Sequence, residues 1–288
     1  MERKTLLISI ALLIVIFIVS TIGPSIYVQK EKQPSREKIG VVASIPPLAE
    51  FVEKVGGERV SVLVMVPSGA NPHTYEPTST QLKEVSKAKV YVKVGSGVEF
   101  ELVWLDKVLE FNKDILVVDC SQDVELVGGD PHIWLSPRNA KIMVANIYEG
   151  LAQVDPQGKA YYAKNKEEYI RKLTKLDREI AESLSEIRNR KFMVYHPAWG
   201  YFARDYNLTQ IPIEKEGKEP TARDLAELVK QAKADNIKII FASPEFNPKT
   251  AEVIADEIDC KIVFISPLAK DYIANLRKVT AELVQALN

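Results

Sequence analysis

After residue 38 the chain alternates between two hydrophobic rhythms. Short runs dense in Val and Ile stand at Ile39–Ile45 (IGVVASI), Val60–Val66 (VSVLVMV), Lys89–Gly95 (KVYVKVG) and Asp114–Cys120 (DILVVDC). A second set stands at Lys191–His196 (KFMVYH), Leu208–Ile213 (LTQIPI), Lys238–Ser243 (KIIFAS) and Lys261–Ser266 (KIVFIS). Near-continuous apolar runs of this length predict parallel strands buried on both faces. Between them Pro47–Val55, Thr78–Lys87, Thr221–Asn236 and Pro248–Asp259 carry helix-like patterns. Strand–helix alternation predicts βαβ units and parallel sheets.

One segment breaks the rhythm. From Tyr161 to Arg190 there is neither Pro nor Gly, and Tyr169, Leu173, Leu176, Ile180, Leu184 and Ile187 recur in steps of three and four. That spacing makes one apolar stripe along a helix. Such a helix is roughly 45 Å long at 1.5 Å per residue. It separates the first four strands from the last four. The fold class expected is therefore α/β: two parallel-sheet α/β lobes joined by one long backbone helix. The expected divisions are an N-terminal lobe at 39–157, a linker helix at 158–190 and a C-terminal lobe at 191–288.

Residues 1–38 follow neither pattern. Arg3 and Lys4 precede Leu6–Val19, an apolar run without a charge, and Ser20, Thr21, Gly23 and Pro24 follow it. Residues 1–28 read as an export signal peptide or as an uncleaved N-terminal membrane anchor, because the apolar character approaches the roughly 20 residues that span a bilayer. No Cys follows the run to carry a lipid. Residues 29–38 (QKEKQPSREK) read as a polar tether. The expected location is extracytoplasmic, in a periplasm-like space or at the cell surface, with the N-terminal segment meeting the membrane surface.

Composition narrows the partners. At 46% hydrophobic and 27% charged, the 288 residues suffice for one large domain or two medium ones. A formal net charge of −1 gives no basic footprint and argues against nucleic acid. The chain has no G-x-x-x-x-G-K-[ST] phosphate loop, so any ATP hydrolysis belongs to another subunit. Cys120 and Cys260 are too few and too distant for a metal motif, and we expect them unpaired.

The chemistry lies with the three histidines. His73 sits in NPHTYEP, His132 in GGDPHIWLSP and His196 in YHPAWG, each beside a proline (Pro72, Pro131, Pro197). Proline fixes φ and restrains its neighbour, so the three loops are stiff. At least two of the histidines follow strands, where open α/β sheets bind ligands. Neutral imidazole is the commonest metal ligand. Three imidazoles and one oxygen make a tetrahedral shell. From spacing alone, a shared metal site stands beside three unrelated surface histidines.

The motifs GANPHTYEPT, DPHIWLSP and YHPAWGYFA, in this order and separated by a long charged helix, resemble the metal-binding proteins of ABC importers, the ZnuA-like, TroA-like and PsaA-like family. GKEPTARDLAELVKQAK and ISPLAKDYIANLRKV match its later blocks, and the similarity runs from about Gly40 to Leu287. The resemblance implies a metal at the cleft between the lobes, held by His73 and His132 from the first lobe and His196 from the second. It implies a partner set: an ABC permease, its separate ATPase subunit and a divalent metal ion, with the chain acting as a monomer. The family commonly has Asp where this chain has Ser266. Ser266, Glu245 or Asp271 can complete the shell, with water the first choice. The long His-rich loop of many zinc members is reduced here to Ser121–Gly129.

Three nitrogen donors favour Zn2+, with Mn2+ or Fe2+ as alternatives. Asp130 is a candidate to orient a ligand imidazole or to cap its own loop. Trp134, Trp199 and Tyr201 are read as aromatic core rather than cleft wall. Glu76 is read as closing a turn or pairing with a cation, and Glu219 as helix-start or interlobe chemistry. Two other functions compete. A three-histidine zinc hydrolase needs a general base, for which Glu245 and Asp271 are the candidates. A surface adhesin would bind its partner whether or not metal is present.

Overall fold

The computed structural model describes residues 37–214, 217–247 and 249–287. The expected signal or anchor at 1–28 lies outside the described residues, as does nearly all of the tether at 29–38. Among the described residues no helix is long and apolar enough to cross a membrane.

All eight apolar runs form strands. In the first lobe β1 (Ile39–Ala43), β2 (Val60–Val64), β3 (Val90–Lys93) and β4 (Leu116–Asp119) pair in the order β2-β1-β3-β4. In the second, β5 (Lys191–Val194), β6 (Thr209–Pro212), β7 (Ile239–Ala242) and β8 (Lys261–Phe264) pair in the order β6-β5-β7-β8. Every pairing is parallel, and the two lobes repeat one topology. Central strands need apolar residues on both faces. Val41, Val42 and Ala43 of β1 are accordingly buried, whereas Phe264 on the edge strand β8 is exposed.

The helices are α1 (Pro46–Gly56), α2 (Ser79–Val85), α3 (Glu99–Leu109), α4 (Pro137–Val154), α5 (Lys159–Ser183), α6 (Gly200–Asp205), α7 (Ala222–Ala234), α8 (Lys249–Ile258) and α9 (Tyr272–Leu287). Local chemistry sets several starts. Thr78 and Thr221 form capping boxes with Gln81 and Asp224, and Ser136 caps α4 ahead of Pro137.

The long helix is shorter than its hydrophobic stripe suggested. It has 25 residues, about 37 Å, and ends at Ser183 rather than Arg190. Leu184 and Ile187 are still buried, so the stripe continues past the helix. The hydroxyls of Ser183 and Ser185 bond the carbonyls of Glu179 and Glu182, and the Arg190 guanidinium takes those of Leu184 and Ser185. The serine hydroxyls add to the amide bonds of the last turn, while Arg190 takes carbonyls beyond it. Tyr162, Tyr169, Leu173, Leu176 and Ile180 form the inner face of α5. Leu176→Ala should lower the unfolding free energy by about 2–5 kcal/mol, measured by urea denaturation.

One apolar core runs from the first sheet past α5 to the near face of the second sheet. Strand alternation divides that second sheet. Phe192 and Val194 join the shared core, while Met193 and Tyr195 enter a smaller cluster on the far face with Ile211 and Ile213. Polar bonds cross between lobes as well. Trp134 Nε1 donates to Pro267 O at 2.8 Å, and Tyr272 Oη donates to Trp134 O at 2.7 Å. Glu50 on α1 accepts from Tyr272 N at 2.6 Å and from Tyr169 Oη at 3.1 Å. Burial pushes the Glu50 carboxyl up from its usual range, opposed by these donors. Cys120 and Cys260 form no disulfide.

Candidate metal centre

Both sheets direct their carboxyl ends at one cleft. His73 lies on the loop after β2, His132 on the loop after β4, and His196 two residues beyond β5. The His73 loop is held by a bond from its own amide to Asn71 Oδ1 at 2.9 Å. Ser96 Oγ donates to Pro131 O and steadies the turn before His132.

The three rings come together. His73 and His196 have centroids 5.2 Å apart, and His132 and His196 5.1 Å. Each Nδ1 faces a carboxylate: His73 with Glu99 at 2.9 Å, His132 with Asp130 at 2.7 Å, and His196 with Glu214 at 3.1 Å. A carboxylate on Nδ1 fixes the tautomer and leaves Nε2 with a lone pair to offer.

The Nε2 atoms of His132 and His196 are 3.2 Å apart. A tetrahedral zinc with Zn–N bonds of about 2.0–2.1 Å spaces its nitrogens about 3.3–3.4 Å apart. Two outward lone pairs at that distance repel unless a proton or a cation stands between them. Burial lowers the His132 pKa, with Asp130 opposing, which works against the proton. A cation seated between the two nitrogens would relieve that repulsion. Among the described residues no three side chains yet form a closed metal-holding group. The buried His132–His196 pair stands at ligand spacing, and the more exposed His73 flanks it.

Apolar walls surround the rings. Phe246 stacks on His196 with centroids 4.4 Å apart and planes 20° apart. Trp134 lies 5.2 Å from His132. With Val98 and Leu268 they line the cleft. Trp134 is thus both core and cleft wall. Trp199 and Tyr201 are buried, and Tyr201 Oη accepts from Val127 N at 2.9 Å.

The other candidates take different places. Asp130 Oδ1 accepts from both the amide and the Nδ1 of His132, so one oxygen closes the turn and orients the ring. Glu245 is buried and accepts from the hydroxyls of Ser243 and Ser266. Asp271 is exposed and accepts from Ala274 N at the start of α9. Glu219 accepts from Tyr195 Oη at 2.6 Å and Thr250 Oγ1 at 2.5 Å. That corrects its reading: it braces β5 against α8 inside the second lobe rather than starting a helix or joining lobes.

Glu99, Glu214 and Phe246 were invisible as site residues in the sequence. Glu99 begins α3 and Glu214 follows β6, but neither lies near a histidine in the chain. Gly200 carries a weaker signal: a Cβ there would collide with Asp130 Oδ2, so a side chain would push that carboxylate from its histidine.

The family described as "ZnuA: Zinc-uptake complex component A periplasmic" matches residues 41–286. The high-affinity zinc uptake system protein ZnuA of Bacillus subtilis is 30% identical over 253 residues, covering 81% of this chain and 79% of its own. The zinc-binding lipoprotein AdcA of Streptococcus pneumoniae is 29% identical, and this chain spans half of its length. A ZnuA crystal structure superposes with a TM-score of 0.85 at 40% identity, covering 88% of this chain and all of that one. The laminin-binding protein Lmb of Streptococcus agalactiae superposes with a TM-score of 0.79 at 29% identity, covering 87% and 100%. With nearly the whole described chain inside the match and both lobes superposed, this chain belongs to the ZnuA family of periplasmic zinc-uptake components, which are binding proteins rather than enzymes.

Proposed function

We propose that this protein captures Zn2+ outside the cytoplasm and delivers it, as a monomer, to an ABC permease driven by a separate ATPase subunit. His73, His132 and His196 are its ligands, water completes the shell, and the N-terminal segment supplies export or attachment to the membrane surface. One observation carries the reading: two buried Nε2 atoms face each other at zinc-ligand spacing, each ring backed by a carboxylate. Relatives named for zinc binding support the choice of metal over Mn2+ or Fe2+. The hydrolase alternative loses its general base, because the hydroxyls of Ser243 and Ser266 occupy Glu245 and the start of α9 occupies Asp271. Titration of chelator-stripped protein tests the proposal. About one tightly bound zinc per chain is expected; a chain that takes up none ends it.

The site also fixes the sign of its pH dependence. Metal needs the neutral imidazole, so protons compete with it. Burial lowers the His132 pKa. Its ligand-competent form therefore persists above that lowered value and is lost as pH falls through it. Zinc affinity should be level near neutrality and fall steadily as pH drops into the acid range, where protons compete for the imidazole nitrogens. Zinc titrations across that range read the slope directly.

A further inference from the structure

The Glu245 carboxylate has no part in holding the three rings. It lies just beyond β7 and is 8% exposed. Its Oε2 accepts from Ser243 Oγ and its Oε1 from Ser266 Oγ. Ser243 directly follows β7 and Ser266 lies two residues beyond β8, so this clasp joins the loops at the tips of two paired strands. Ser266 is itself held, its Oγ accepting from Leu268 N at 3.1 Å and its carbonyl from Asn275 Nδ2 at 2.8 Å.

The clasp adjoins the metal cleft on two sides. Phe246, the next residue after Glu245, is the ring stacked on His196. Pro267 and Leu268, the next residues after Ser266, line the cleft. Ser243 and His196 also border one small cavity together. A carboxylate thus stands beside the centre with both oxygens given to hydroxyls.

Carboxylate oxygen is the donor that manganese favours, whereas a nitrogen set with an open tetrahedral position suits zinc. Glu99, Asp130 and Glu214 already carry more negative charge than a divalent ion neutralises, and they act through the imidazoles. We propose that Ser243 and Ser266 set the metal preference of this centre by holding Glu245 out of the coordination shell. The inference rests on the metal-capture reading of the three histidines. The hydroxyls satisfy a buried charge that is otherwise costly, and they fix its rotamer. Without them the carboxylate loses both of its hydroxyl partners while standing one residue from Phe246, the ring stacked on His196.

The test compares Zn2+ and Mn2+ affinities, by competition titration, in the full-length chain and its variants. In Ser243→Ala/Ser266→Ala the zinc-to-manganese affinity ratio should fall about tenfold or more, because an oxygen donor is released to the ion. Adding Glu245→Gln to that variant should restore the native ratio, since the amide is a poor replacement for carboxylate. A merely structural clasp would lower the melting temperature of the double variant and leave the ratio unchanged, which overturns the proposal. If the double variant does not fold, Ser266→Ala alone is read the same way: a roughly threefold fall supports the proposal and an unchanged ratio overturns it. Native protein that binds neither metal would instead remove the underlying reading of the histidines.

Discussion

Replacing His132 or His196 with alanine should weaken zinc binding by more than about a hundredfold, since removing even an outer partner of a metal ligand costs about 10–100-fold. These two rings carry the larger loss because they are already at ligand spacing, 3.2 Å between Nε2 atoms, and both are buried. Each removal leaves its carboxylate, Asp130 or Glu214, without the imidazole it was orienting. His73→Ala should also weaken binding strongly. Competition against a zinc-sensitive chelating dye gives the affinities. Native affinity in all three variants would remove the histidines from the site.

Saturating zinc should stabilise the protein by about 4 kcal/mol when free metal reaches a thousand times the dissociation constant. For a chain of this size that is a rise of roughly 10 °C in melting temperature. The size of the shift follows from mass action. That it should be one cooperative shift follows from the fold. The proposed ligands come from both lobes, and one apolar core runs through both past α5. Trp134, Glu50 and Tyr272 add hydrogen bonds across the same junction. His196→Ala should abolish the zinc-dependent rise. Thermal unfolding with and without chelator measures it. A split transition in which one lobe alone responds would show that the metal does not bridge them.

The strands were the most legible part of this sequence. Each apolar run was long enough for one buried strand and too short for a helix, so its length decided its type. Helices with a capping residue and a clear stripe were nearly as plain. Among those that went unnamed, α3 lacks such a signal: Val98 gives it no side-chain cap, and its exposed Leu102 and Val103 blur the stripe. The end of α5 was misjudged because burial of Leu184 and Ile187 continues after the backbone has left the helix. Hydrophobic spacing reports which residues face the core, and it does not report when serine and arginine side chains take over the carbonyls.

The sequence by itself determined the two-lobed α/β class, the three proline-flanked histidines and the near-absence of other metal-ligating motifs, because these depend on spacing and residue type. The Asp130–His132 contact was also within reach, being two residues apart. Only the tertiary structure decided what stands behind the other two rings. Glu99 is 26 residues from His73 and Glu214 is 18 from His196, and each pair meets because parallel strands deliver their loops to one end of a sheet. The same geometry put Phe246 against His196 and closed two serines around Glu245. Loops from separate strands meet at a sheet's carboxyl edge, and no local pattern in the chain records which side chains will face each other there.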